Sequence, residues 1–343
     1  MDLKGIYTAD ANRYGDAEAL YKKCGKSGVL LPKISLGFWH NFGGVDPYER
    51  SRAITHYAFD HGITHFDLAN NYGPPYGSAE ETMGRLMKDD FQPYRDELFI
   101  STKAGYDMWE GPYGNWGSRK YLIASLDQSL KRLGLPYVDI FYHHRMDPNT
   151  PLEETMGALA QIVKSGKALY VGLSNYDGPT MAKAERILDE LHVPFVINQN
   201  RYSILDRSVE NNGLLKQTYA SGKGLICFSP LAQGMLTDRY LKDMPADSRA
   251  VKDGRFLHED QVLANRPLLN QLNEIAAGYD MKLSELAIAW LLNKPEVTTV
   301  LIGASKPEQI LSNLKAAEKQ SHTVMSEEEL QKIEDAVAAF GRQ

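Results

Sequence analysis

Apolar runs of four to seven residues alternate along this chain with amphipathic stretches of ten to fifteen. A short apolar run bounded by turn residues predicts a strand, and apolar positions recurring every three or four residues predict a helix. Strands are expected at Ile34 to Gly37, Thr64 to Asp67, Leu98 to Lys103, Val138 to His143, Ala168 to Leu173, Phe195 to Asn198, Gly224 to Phe228 and Thr299 to Ile302. Helices are expected between them at Pro47 to His61, Ala79 to Met87, Arg119 to Leu133, Leu152 to Lys164, Thr180 to Leu191, Leu214 to Ser221 and Pro307 to Ala317. Capping chemistry agrees: Ser118 precedes the third helix, and Gly62, Gly134 and Gly166 stand where left-handed helix ends belong. This order implies parallel strands joined by crossover helices, so the expected fold class is α/β, a (β/α)8 TIM barrel.

Three segments add to that rhythm. Before the first strand, G-V-L-L-P-K predicts a small N-terminal hairpin that plugs the barrel floor. Residues 239 to 267, charged and without a clear period, predict a long loop or lid after strand seven. Ser326 followed by three glutamates predicts an extra, capped C-terminal helix. With 343 residues and 43% hydrophobic content, the chain can bury a large core, and no Gly/Ser/Pro-rich linker divides it. Residues 1 to 343 are therefore expected to form a single domain.

Composition narrows the function classes. The net charge is −6 and the basic residues are scattered, so no nucleic-acid footprint is expected. Cys24 and Cys227 lie far apart and lack metal-ligand spacing, which suits a reducing cytoplasm and predicts no metal site. No stretch has the length and apolarity of a signal peptide or a spanning helix, so no membrane partner is expected.

Four polar residues follow the expected strands: Asp67 closes I-T-H-F-D, Tyr72 lies in A-N-N-Y-G, Lys103 ends L-F-I-S-T-K and His144 ends F-Y-H-H. Side chains at strand carboxyl ends converge on the active face of a barrel. A phenol with an ordinary pKa near ~10 needs help to release a proton at neutral pH. Lys103 is expected to lower it by charge proximity, Asp67 to hold the ammonium, and His144 to orient a substrate oxygen. His143 and His144 must face opposite ways along a strand, and the period does not choose between them.

The segments G-I-T-H-F-D-L-A-N-N-Y-G, S-T-K-A-G, Y-V-D-I-F-Y-H-H-R, V-G-L-S-N-Y, I-N-Q-N, F-S-P-L-A-Q-G and V-L-I-G-A-S-K-P-E-Q resemble the aldo-keto reductase superfamily. Within it, N-N-Y-G-P-P-Y-G-S-A-E and S-T-K-A-G-Y-D-M-W are most similar to the bacterial L-glyceraldehyde 3-phosphate reductases and, more distantly, to potassium-channel β subunits. The resemblance implies Tyr72 as proton donor, Lys103 and Asp67 as its tuning pair, and His144 as the carbonyl-orienting residue. Channel β subunits carry asparagine in that last place, so the histidine favours a reductase.

No G-x-G-x-x-G fingerprint follows a strand, so the hydride donor must be held without a Rossmann domain. In G-A-S-K-P-E-Q, Ser305 as N-cap with Glu308 completing a capping box would present helix amides to an anion, and Lys306 adds charge. That arrangement suits the 2′-phosphate of NADPH, the expected cofactor. By resemblance Ser305, Lys306, Gln309 and Asn313 hold the adenosine end, while Ser229, Leu231, Gly234 and Arg239 line the pyrophosphate path. Ser312 stands where relatives have glutamate. Ser174, Asn175 and Gln199 offer an amide clamp for nicotinamide, Phe228 offers a stacking face, and Trp39, Asp67 and Gly303 join the cofactor set. Around a small carbonyl substrate, Trp39, Tyr76 and Trp109 are expected to form an aromatic wall with Tyr72 and His144. Arg145 is a candidate for a substrate phosphate or for pairing with an acidic neighbour.

The expected activity is NADPH-dependent reduction of aldehydes or ketones such as L-glyceraldehyde 3-phosphate or methylglyoxal, serving carbonyl detoxification in the cytoplasm. Similar proteins suggest a homo-oligomer, a tetramer or octamer. The rival reading is a nucleotide-binding, redox-sensing regulatory subunit. A metal-dependent hydrolase using His143 and His144 lacks a third ligand at metal spacing.

Overall fold

The computed structural model describes residues 7–15, 17–246, 248–252, 254–322 and 325–341. After a short helix at Ala17–Leu20 comes an antiparallel hairpin, β1 (Tyr21–Lys23) against β2 (Leu30–Pro32). The strands β3 (Ile34–Gly37), β4 (His65–Asp67), β5 (Phe99–Ala104), β6 (Val138–His143), β7 (Ala168–Ser174), β8 (Phe195–Arg201), β9 (Gly224–Phe228) and β10 (Val297–Ile302) follow. They close a parallel barrel in sequence order, β10 pairing with β3 through Val300 and Ile34. This is the (β/α)8 architecture that the alternation predicts. The residues of β6 and β10 are buried along their whole length because helices cover the outside and side chains fill the inside.

The hairpin seals one end of that interior. Cys24, Val29 and Leu31 pack in one apolar cluster with Ile140, Tyr142, Ile197, Ile226 and Leu301 from the strands. Its second strand is legible in G-V-L-L-P-K. The first is not, because Lys22 and Lys23 carry no apolar signal; Lys22 is held instead by the carbonyls of Lys294 and Val297 at 3.1 and 2.6 Å.

Most helices begin and end where their caps predict. The Ser118 hydroxyl accepts the Tyr121 amide at 3.3 Å, Gly134 takes φ 66° at the other end of that helix, and Ser326 forms a reciprocal capping box with Glu329.

The segment after β9 departs from expectation. Residues 259 to 267 are not loop: a helix runs from Glu259 to Gly278 straight through Pro267, burying Val262, Leu268, Leu269, Leu272 and Ala276. Proline interrupts the pattern a reader follows, although the burial on one face holds the helix together. A second helix, Leu283–Leu292, is buried at every position but Ser284, so it shows no amphipathic period to detect. Among the described residues the irregular stretch shrinks to those between 241 and 258, which include a short helix at Arg249–Lys252; residues 247 and 253 of the expected loop lie outside the described residues. Among the described residues no helix is long and apolar enough to cross a membrane.

Candidate active site

Strand period places Asp67 on β4 and both Ser101 and Lys103 on β5 toward the barrel interior, with Asp67 and Ser101 in register. Asp67 and Lys103 are fully buried. The Lys103 ammonium donates to Asp67 Oδ2 at 2.5 Å and to the Leu68 carbonyl at 2.5 Å. The other oxygen, Asp67 Oδ1, accepts from Ser101 Oγ at 2.7 Å and from Gln199 Nε2 at 3.0 Å. A buried ion pair is tolerable only when its remaining lone pairs and protons are satisfied in this way. Burial nevertheless pushes Lys103 below its ordinary value, with Asp67 opposing that shift.

Tyr72 stands in the turn after β4, its ring centroid 4.9 Å from Lys103 Nζ. Burial first, then the negative charge of Asp67, then Tyr106 push its phenol well above 10. The net shift is therefore opposite to the one expected from Lys103: burial and the charge of Asp67 outweigh any lowering by the ammonium, and the phenol is held protonated. A protonated phenol is a loaded acid.

His144 follows β6, with its amide on the Ala104 carbonyl at 2.9 Å and its own carbonyl accepting from Asn175 Nδ2 at 3.0 Å. Its ring meets Tyr72 edge-on at 6.0 Å and Tyr106 at 4.6 Å. Burial, followed by Lys103, His143 and Arg145, drives it well below 6.5, so the imidazole is neutral. Its neighbour turns away. His143 Nδ1 meets the Tyr176 hydroxyl at 2.6 Å, and burial holds it down to about 4.

From Tyr72 and His144 a cleft of about 1000 Å³ runs past Asn175, Gln199 and Phe228 to Ser229, Leu231, Gly234 and Arg239, and on to Gly303, Ser305, Gln309 and Asn313, with Trp39 beside its mouth. Ser229, Ala232 and Gln233 hold φ of 53°, 46° and 62° in one six-residue loop along this wall. Left-handed backbone at non-glycine residues costs about 1–3 kcal/mol each and clusters where ligands are clamped. His144 Nδ1 and Asn71 Oδ1 are buried polar atoms without a protein partner beside the same cleft. An aromatic face, an amide pair and basic groups spaced along one trough fit a nicotinamide dinucleotide.

Several candidates sit elsewhere. Asp67 and Ser174 lie beneath the wall, Ser174 accepting from Asn175 Nδ2 at 3.2 Å. Gln199 lines the cleft with its amino group already on Asp67. Lys306 is exposed and does not line it. The capping box is absent: the helix starts at Pro307, and the Ser305 amide and hydroxyl both donate to Gln309 Oε1, at 2.8 and 3.2 Å, because that long side chain folds back over the turn.

The aromatic wall is also different. Tyr76 is 60% exposed and Trp109 packs on Tyr121 at 5.0 Å, so neither reaches the cleft. Arg145 is sandwiched between Trp116 and Tyr106 at 3.6 and 4.2 Å and donates to the Gly105 carbonyl and Asn115 Oδ1. Its contacts are thus neither an acidic neighbour nor the open cleft. Tyr106, Asn71 and Phe256 line the cleft instead, Phe256 meeting Trp39 at 4.9 Å. Tyr106 stood three residues beyond Lys103 in a motif already in view; Phe256 gave no signal because its segment has no period.

A family model described as the aldo/keto reductase family matches residues 33–338. The L-glyceraldehyde 3-phosphate reductase of Escherichia coli K12 is 53% identical over 337 residues, which cover 97% of this chain and 96% of that protein. A probable voltage-gated potassium channel subunit beta of Oryza sativa is 36% identical over 307 residues, covering 86% and 90%. Its Arabidopsis thaliana counterpart is 35% identical over 309 residues, covering 87% and 91%.

Proposed function

The chain belongs to the aldo/keto reductase family, and from that premise we propose that it reduces small aldehydes and ketones with NADPH, L-glyceraldehyde 3-phosphate and methylglyoxal being the candidate carbonyls. One observation carries the reading: a protonated Tyr72 and a neutral His144 share the mouth of a long cleft above the buried Asp67–Lys103 pair. Bound NADPH supplies the hydride. Phe228 offers the nicotinamide a face, Asn175 and Gln199 flank its amide, Ser229, Leu231, Gly234 and Arg239 follow the pyrophosphate, and Ser305, Gln309 and Asn313 flank the adenosine.

The protein's own part is proton delivery and orientation. Neutral His144 donates a hydrogen bond to the carbonyl oxygen, which fixes its position and polarises it. Tyr72 gives that oxygen its phenolic proton, and Lys103, 4.9 Å from the ring, stabilises the phenolate left behind. Asp67 keeps the ammonium in place throughout. The histidine at position 144, together with 53% identity to a protein named as a reductase, favours turnover over a regulatory role. The proposed setting is the cytoplasm and the proposed assembly a homo-oligomer, which light scattering on the eluted protein measures.

Loss of NADPH absorbance with either carbonyl tests the reading. Tyr72→Phe should lower kcat on the order of 10²–10⁴-fold while leaving NADPH affinity nearly unchanged. Unchanged turnover removes Tyr72 as donor. Tight NADPH binding by wild type without turnover on a broad carbonyl panel replaces this reading with a redox-sensing subunit.

A further inference from the structure

Beneath the site a line of hydrogen-bonded side chains crosses the barrel from β10 to β4. Thr299 Oγ1 lies 2.7 Å from Ser35 Oγ, Ser35 Oγ lies 2.8 Å from His65 Nδ1, His65 Nε2 lies 3.0 Å from Ser101 Oγ, and Ser101 Oγ lies 2.7 Å from Asp67 Oδ1. All five side chains are fully buried. His65 and Asp67 are two residues apart on β4, so strand period puts the imidazole and the carboxylate on the same, interior face.

The direction of every hydrogen in the line follows from its last member. Asp67, paired with Lys103 at 2.5 Å, is ionised and can only accept. Ser101 therefore spends its single hydroxyl hydrogen on Asp67, and His65 must reach Ser101 with an Nε2–H. Burial drives His65 down to about 4, so near neutral pH it carries one proton and its Nδ1 is an acceptor. Ser35 then donates to Nδ1, and Thr299 donates to Ser35. Each hydrogen points toward the carboxylate.

We propose that His65, as the neutral Nε2–H tautomer, is a positioning residue for the reduction: it locks the Ser101 hydroxyl onto Asp67 and thereby sets the negative charge that Asp67 presents to Lys103 and Tyr72. The inference rests on the reading of Tyr72 as proton donor. Without the His65 donor, Ser101 is free to turn, Asp67 is less well solvated, and its field at Tyr72 strengthens. The phenol then holds its proton more tightly and gives it up more slowly.

Two measurements test this. Nitrogen-15 NMR of the wild-type protein near pH 7, without cofactor, should find the His65 proton on Nε2 and Nδ1 bare; a proton on Nδ1 overturns the assignment whether or not the protein turns over. In steady state, His65→Phe should lower kcat about tenfold, leave the carbonyl KM within about twofold, and move the alkaline limb of kcat to higher pH. His65→Gln, whose amide nitrogen reaches toward Ser101, should recover most of the loss. A folded His65→Phe with wild-type kcat and an unmoved limb overturns the proposal. If that variant does not fold, Ser35→Ala replaces it: some proton should shift to Nδ1 and kcat should fall about threefold, and no change in either overturns the proposal. Absence of wild-type turnover would instead remove the reductase reading and leave the NMR result to judge the hydrogen-bond direction.

Discussion

At the Tyr72 end of the cleft, Asp67 and Lys103 are fully buried and joined at 2.5 Å, whereas at the other end Ser305, Lys306 and Gln309 lie open to water. The buried end satisfies Asp67 with donors from Lys103, Ser101 and Gln199, and Lys103 with a second acceptor at Leu68. The exposed end has one such local arrangement, Ser305 on Gln309. Water explains the difference. A charge removed from solvent must be met completely by protein groups, while an exposed one is already solvated and its partners add little. Proton transfer gains from the first environment because fixed dipoles act strongly where water is excluded. Nucleotide capture needs only charge that a ligand can reach.

The largest effect should come from breaking the buried pair. Lys103→Met should abolish measurable turnover and cost about 3–5 kcal/mol of stability in urea titration, because it strands an ionised carboxylate in the interior. A variant as stable as wild type would erase the contrast between the two ends. Next in size is a pH effect confined to the interior. His65 and His143 are held to about 4 by burial, against an ordinary value of 6.5. Between these values the unfolded chain binds protons that the folded chain refuses, so their stabilising contribution is complete above pH 6.5 and is lost as pH falls toward 4. From pH 7 to 5 each should cost about 2 kcal/mol, read from the urea midpoint, and His143→Gln should remove about half of that combined loss. Equal pH slopes in wild type and variant would show that burial of His143 does not set its titration. Smallest is the exposed end: Lys306→Met should weaken NADPH about fivefold at low salt, less at high salt, and change NADH less than twofold. Equal losses for both nucleotides would remove Lys306 from any contact with the 2′-phosphate.

Much of the site was legible because chemistry and period coincide there. Asp67, Lys103 and His144 each close an apolar run, and Tyr72 follows one of them at a turn. The same alternation of strand and helix announced the barrel. Elements without an amphipathic period escaped: the Leu283–Leu292 helix is buried at every position but Ser284, the Glu259–Gly278 helix contains Pro267, and β1 carries two lysines. Residues singled out by type alone fared differently from those supported by position. Trp109, Tyr76 and Arg145 have the right chemistry for a substrate wall, yet Trp109 and Arg145 are held by Tyr121, Trp116 and Tyr106, and Tyr76 faces water.

The chain's own pattern determined the order of its elements, the closure expected of them and the residues that end its strands, since these follow from backbone periodicity and side-chain polarity read locally. Only the tertiary structure decided which of two adjacent histidines enters the mouth, the sign of the shift on Tyr72, and the line of hydrogen bonds from Thr299 to Asp67. Those outcomes depend on desolvation and on distances between strands far apart in sequence. Thr299 and Ser35 meet because the last strand closes on the first barrel strand, and that closure exists only in the folded barrel.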